Sequence, residues 1–455
     1  MRRAATRLSL MSALLLAACA TGVEPGVQTV TPSGADLERP AAASPARADA
    51  SLDLIAQNYV KLILGIGEIE PGYVDAYYGP ADWAAQAKAT PPTRDQLTAD
   101  GATLALWLDG VSAGALAPEE AQRLAYLKAH VAAARARLRM LAGETMSFAD
   151  EAEALFGIRP EIRPLSAFDP VLAQMDALVP GPGPLVDRIT AFKAAFVIPK
   201  DRIEPVMQAA IAECRARTVR HITLPADESF TLTLVNDKPW SGYNYYEGGA
   251  VSRIEINTDF PIYTERAIDL GCHEGYPGHH VYNALLEQTF VRDRGWVEMS
   301  VYPLFSPMSF VAEGSANYGI DLAFPGDEAE AFERDVLMPL AGLAPADLAR
   351  KNEILRLTQQ LARAEYVIAD DYLAGRIDRD QAAALISKYL VTQPDKAAQR
   401  VRFIDTYRSY IINYGLGRDT VQAWVEAQDA DGGSDHWAAM ERLLSSQILP
   451  VDIIE

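Results

Sequence analysis

Residues 271–283 read GCHEGYPGHHVYN, and residues 312–319 read AEGSANYG. Three of the six histidines of the chain, His273, His279 and His280, fall in the first segment beside Glu274, and Glu313 opens an acidic element in the second. A catalytic zinc takes about three nitrogen or oxygen ligands from side chains, leaves a fourth position to water, and works with a nearby carboxylate that accepts the water's proton. The segment supplies all of these groups. In the familiar HExxH arrangement the two histidines are four residues apart on one helical face. Here the second histidine follows six or seven residues after the first, with Pro277 and Gly278 between. On an unbroken helix His273 and His280 would stand roughly 10 Å apart along the axis, too far for two bonds of about 2.1 Å to one metal. An interrupted helix is therefore expected, with a bulge at Tyr276, Pro277 and Gly278, because proline lacks the amide a helix interior needs and glycine tolerates unusual dihedrals. Counting alone leaves both His279 and His280 open as the second ligand.

HEGYPGHH, followed by EGSANYG and by a late YGLG at residues 414–417, resembles the bacterial domain-of-unknown-function 885 family. That family is similar to HExxH metallopeptidases of the thimet oligopeptidase and carboxypeptidase Taq type, mostly helical proteins that hold zinc by two histidines and a downstream glutamate. The resemblance implies a mainly α, gluzincin-like fold with a small β element beside the active-site helix. It implies one Zn2+ per chain, with His273, His279 and Glu313 as ligands and His280 as the alternative to His279. Glu274 is then the general base, and Tyr414 stabilises the oxyanion of a tetrahedral intermediate. EGSANYG departs from the family's EGWALY form, with Ser315 in place of tryptophan and Asn317 in place of leucine.

Outward from this centre, the chain of 455 residues begins as an export signal. Arg2, Arg3 and Arg7 precede an apolar run at residues 8–16, and Leu16-Ala17-Ala18-Cys19 forms a lipobox. The run is too short for a confident membrane span, so Cys19 is expected to carry lipid and anchor the mature chain. Ala20 after it resembles lipoproteins released to the outer membrane, which gives an exported, lipid-anchored location, facing the periplasm. The expected organisation is a signal at 1–19, a disordered tether at 20–50 rich in alanine, proline and small polar residues, and a catalytic body at 51–455, with two lobes around a cleft as one arrangement. A net charge of −20 argues against nucleic acid as a partner and leaves no polybasic patch for membrane adhesion. Only Cys214 and Cys272 remain after Cys19. An exported compartment permits a disulfide between them, and separate buried thiols stay open.

Within the body, residues 52–68 and 203–217 read as helices, and Pro118 starts a long helix whose stripe of Leu124, Leu127, Val131, Leu138 and Leu141 ends at Gly143. Residues 71–83 read as turns around Tyr73, Tyr77, Tyr78 and Trp83. Residues 252–257, following a glycine pair, read as a strand just ahead of the metal segment. Such a strand suits pairing with substrate backbone, with Arg253 and Asn257 turned toward a peptide and Ile254 and Ile256 toward the core. Residues 345–373 read as one amphipathic helix, and Glu313 as lying near the start of another. Arg402 projects from a helix beginning at Pro394 and could hold a substrate carboxylate or make an internal ion pair. The function expected is zinc-dependent hydrolysis of peptide bonds. The alternatives are an amidohydrolase acting on a small amide or cell-wall peptide, and a non-catalytic lipoprotein that binds metal or substrate.

Overall fold

The computed structural model describes residues 45–238, 240–428 and 435–454, with side chains from Leu52 onward. The signal, Cys19 and nearly all of the expected tether lie outside the described residues. Helix α1 (Pro45–Ile69) begins within the segment read as tether, so the last residues of that stretch already belong to a helix.

The described residues are mostly helical with two small sheets. α1 turns Leu52, Ile55, Tyr59, Ile63 and Ile66 inward, and α2 (Pro118–Leu141) meets it with Leu124, Leu127, Val131 and Leu138. Pro118 occupies the first turn of α2, where a missing amide costs nothing, and Gly143 with φ of 97° ends it. This core continues into the C-terminal third through Ile386, Val401 and Ile404. A second apolar cluster gathers Val206, Met207, Ala210 and Ile211 of α3 (Ile203–Thr218) with Ile254, Ile256, Leu270 and Val281. No helix among the described residues is long and apolar enough to cross a membrane.

The first sheet pairs β1 (Val74–Tyr77) with β5 (Val301–Pro303), antiparallel. Residues 71–83 are therefore not all turn: Gly72, with φ of 87°, ends the approach from α1, and the next residues extend as a strand. The second sheet has the order β2–β4–β3, from β2 (Ser229–Val235), β3 (Gly242–Gly248) and β4 (Val251–Asn257). β4 runs parallel to β2 and antiparallel to β3. The strand expected to pair with substrate is thus central, with both edges occupied, and the edge strands are β2 and β3.

Two helix boundaries also differ from expectation. Residues 345–373 divide into helices Leu348–Leu361 and Ala364–Leu373. Glu313 lies in the middle of its helix, which starts six residues earlier at Pro307, where extended Ser306 and a first-turn proline set the boundary.

Candidate metal centre and cleft

Helix α4 (Thr264–Leu270) runs into a widened turn at Gly271–Gly275, and the chain leaves helical geometry at Tyr276, Pro277 and Gly278 before α5 (His279–Leu286) begins. The Tyr276–Pro277 peptide is cis. Gly278 folds back on the widened turn, donating its amide to the Cys272 carbonyl at 3.0 Å. A Cβ at Gly278 would fall 1.8 Å from the His273 carbonyl oxygen, so only glycine fits. This fold-back brings the ring nitrogens Nε2 of His273 and His279 to 3.1 Å, with the rings perpendicular at 89°. Behind the turn, the Cys214–Cys272 disulfide ties it to α3.

The third corner comes from α6 (Pro307–Ala323). Glu313 Oε2 is 3.3 Å from His273 Nε2 and 3.6 Å from His279 Nε2. Four tetrahedral ligands at about 2.0–2.1 Å from a zinc are about 3.3 Å apart, so a triangle of these dimensions has a point about 2 Å from all three atoms. Glu313 Oε2 is buried and lacks a hydrogen-bond donor of ordinary geometry, whereas Oε1 accepts from the Tyr410 hydroxyl at 2.8 Å. A buried carboxylate oxygen in that state is suited to a cation. The placement depends on a close helix crossing: a Cβ on Gly314 would meet the Gly417 carbonyl at 2.6 Å, so α6 and α8 (Ile412–Ala427) approach as backbones.

The electrostatics agree with a cation site. Burial opposes ionisation of Glu313, yet His279 and His273 outweigh it and hold its carboxyl well below the usual range. Burial disfavours a charged His273, but the carboxylates of Glu313 and Glu274 reverse this and raise its pKa. His273, Glu274 and His279 also form a cluster whose ligand atoms lie within 4.8 Å of one another and can coordinate a metal ion. Two trios are therefore available, and the shorter distances favour the one completed by Glu313. Glu274, which the Glu313 trio would leave uncoordinated, is 5 % exposed, with burial raising its pKa and the neighbouring histidines opposing.

These groups line one end of a cleft of about 480 Å³. Glu274 and Tyr414 both face it, and the Tyr414 ring stacks on His273 with centroids 6.5 Å apart. His280 does not. Its Nδ1 meets Ser252 Oγ at 2.8 Å and its Nε2 meets Glu228 Oε2 at 3.0 Å, with His280 and Ser252 fully buried. Glu228 also accepts from the Tyr276 hydroxyl at 2.6 Å, so this Ser252–His280–Glu228 array braces the broken helix against β4 from behind. With Ser252 inaccessible it offers no nucleophile to a substrate.

The three residues expected to touch substrate lie elsewhere. Arg253 pairs with Glu247 and Glu255 and covers the Tyr245 ring. Asn257 donates to the carbonyls of Lys238 and Trp240, fixing the approach to β3. Arg402 is exposed and outside the cleft lining. On its helix, α7 (Pro394–Tyr407), the cleft face carries Lys396, Gln399, Arg400, Phe403 and Tyr407, a stripe of helical period that position 402 does not share.

Sequence reasoning missed that stripe, and also Arg266, Asp75, Tyr243 and Tyr410. Arg266 is seven residues before His273 on the same helical face, and Tyr410 four before Tyr414, spacings that were available as signals. Asp75 had none: it reaches the cleft through β1, where burial pushes its pKa up to about 6 against the hydrogen bond from Tyr243.

No family model and no curated protein sequence matches the chain, so the motif resemblance to the domain-of-unknown-function 885 family has no counterpart there. Among solved structures, the chain is similar to a candidate lipoprotein from Colwellia psychrerythraea, with 16% identity, TM-score 0.51, and 92% of this chain aligned to 76% of that one. A candidate lipoprotein of unknown function from Shewanella oneidensis aligns at 14% identity and TM-score 0.48, covering 90% of both chains. An M32 carboxypeptidase from Deinococcus radiodurans R1 aligns at 14% identity and TM-score 0.36, covering 88% of both. At such identities the first of these speaks for the fold alone: a mostly helical chain of the kind found in the Colwellia protein, here carrying a His/Glu cluster able to hold a metal ion.

Proposed function

We propose that the protein is a zinc-dependent hydrolase of peptide bonds. The observation that carries this reading is the triangle of 3.1, 3.3 and 3.6 Å among His273 Nε2, His279 Nε2 and Glu313 Oε2 at the end of a cleft, with a fourth, non-ligand carboxylate beside it. Two histidines from one interrupted helix and a glutamate from a facing helix make a gluzincin-like set. Zinc held there would lower the pKa of a water and polarise a substrate carbonyl.

The side chains supply the rest. Glu274, buried and with a raised pKa, takes the proton from the water and returns it to the leaving amine. Burial holds the Tyr414 hydroxyl protonated far into the basic range, so it donates a hydrogen bond to the oxyanion. Tyr410 orients Glu313 through the 2.8 Å hydrogen bond. Gly242, Tyr243 and Asn244 of β3 line the cleft beside Glu274, and the free edge of that strand suits an extended peptide. The Cys214–Cys272 disulfide supports an exported setting, as does the likeness to a protein described as a lipoprotein, with Cys19 carrying the lipid.

The test is digestion of a peptide library by the metal-loaded protein, read by mass spectrometry. Cleavage that a chelator abolishes, and that Glu274→Gln lacks, is expected. Intact peptides across the whole library would contradict the reading.

A further inference from the structure

The cleft that holds the acidic, metal-binding groups is also lined by three cations: Arg266 from α4, and Lys396 and Arg400 one turn apart on α7. Arg400 is held by a two-point contact with the buried carboxylate of Glu365, with Nη2 to Oε2 at 2.7 Å. Arg266 pairs with Asp269, three residues on. Lys396 differs from both, because no carboxylate of the described residues lies within ion-pair distance of its ammonium. Its side chain reaches solvent and lines both the cleft and a smaller pocket that adjoins it through Arg266, Trp240 and Ser241, with the ammonium over the Phe260 ring of that pocket, 5.4 Å from the centroid. Desolvation there, with repulsion from Arg266, Lys193 and Arg400, pushes its pKa down to about 8. A chain with net charge −20 thus keeps a cation without an ion-pair partner among the described residues in the wall of its cleft, with two arginines of the same lining held by partners of their own.

We propose that Arg266, Lys396 and Arg400 form a subsite for a carboxylate of the substrate, with Lys396 as the residue that selects for it. This rests on the reading of the cleft as a hydrolytic site. Arg266 precedes His273 by seven residues, roughly 10 Å along the helix, a span covered by about three residues of extended peptide. The carboxylate accordingly belongs to a residue close to the scissile bond. Two sources have this chemistry: the C-terminal α-carboxylate of a short peptide, and the side chain of an acidic residue.

Calorimetric binding to the zinc-loaded full-length chain in detergent, carrying Glu274→Gln so that bound peptide is not consumed, separates them. The probes are N-acetyl tetraalanine as free acid, the same peptide as C-terminal amide, and the amide with one alanine replaced by glutamate. The free acid, the glutamyl amide or both should bind at least about tenfold more tightly than the plain amide. Preference for the free acid alone identifies the chain terminus as the source, and preference for the glutamyl amide identifies an acidic side chain. Adding Lys396→Ala should bring the ratio close to one, and Lys396→Glu should reverse it. Equal binding of all three peptides, binding of none, or a preference that survives Lys396→Ala overturns the subsite. Hydrolysis of the same peptides by the wild-type chain reports separately on the reaction: selective binding without any cleavage would count against the peptidase reading while leaving the subsite in place.

Discussion

At the scale of single residues, Gly278 is the position where one added carbon does most. A methyl there has to occupy space 1.8 Å from the His273 carbonyl oxygen, so the fold-back that joins His273 to His279 cannot form unchanged. Gly278→Ala should abolish stoichiometric metal binding and cost more than about 3 kcal/mol, measurable by metal analysis and denaturant unfolding. Tyr410→Phe removes only the hydrogen bond to Glu313 Oε1 and should lower metal affinity by about 10- to 100-fold with the fold intact, as competition with a chelator would reveal. The residues with the clearest sequence signal, His273, Glu274 and His279, owe it to their crowding into a few positions. Tyr410 offered only its spacing from Tyr414, because its contact with Glu313 comes from an α6–α8 crossing that depends on two glycines just over a hundred residues apart. The choice between His279 and His280 could not be made by counting, since it depends on how the chain turns at Tyr276, Pro277 and Gly278.

At the scale of elements, the widened turn at Gly271–Gly275 is held from behind by α3 through the Cys214–Cys272 disulfide. The bridge closes a loop of 58 residues, worth about 4 kcal/mol in chain entropy. Replacing both cysteines with serine should lower the thermal midpoint, and reductant should lower that of the wild type but not of the variant. Helix α2 buries His130 beneath the Tyr126 ring, with its Nδ1 2.9 Å from the Tyr126 carbonyl. Burial pushes its pKa from 6.5 down to about 4. The folded state therefore resists a proton that the unfolded chain accepts, and stability contributed by the neutral ring is lost as pH falls from about 6.5 toward 4, by up to about 3 kcal/mol. Denaturant unfolding across this range should show a steeper decline in the wild type than in His130→Phe. Helix identities were legible because Pro118 and Pro394 mark starts independently of packing. Strand roles were not. Which of β3 and β4 has a free edge depends on β2, which joins β4 from residues 229–235 in a parallel pairing that local pattern does not encode.

At the scale of the whole molecule, a mainly helical body with a small sheet beside the metal segment follows from the motif and the helical periodicity of the chain. The rest of the cleft lining does not, because it is assembled from β1, β3, α4 and α7, four elements spread over some 330 residues, each contributing side chains that look ordinary in isolation. The anchor proposed at Cys19 lies outside the described residues, and Cys19→Ser should move the exported chain from the membrane fraction to the soluble one. The central claim concerns which carboxylate holds the metal and which works beside it. Zinc stoichiometry of the wild type, Glu274→Gln and Glu313→Gln, measured by elemental analysis after dialysis against a weak chelator, addresses it most directly. About one zinc per chain in the first two and its loss in Glu313→Gln is the expected result. Retention of zinc by Glu313→Gln together with loss from Glu274→Gln would exchange the two roles and contradict the account.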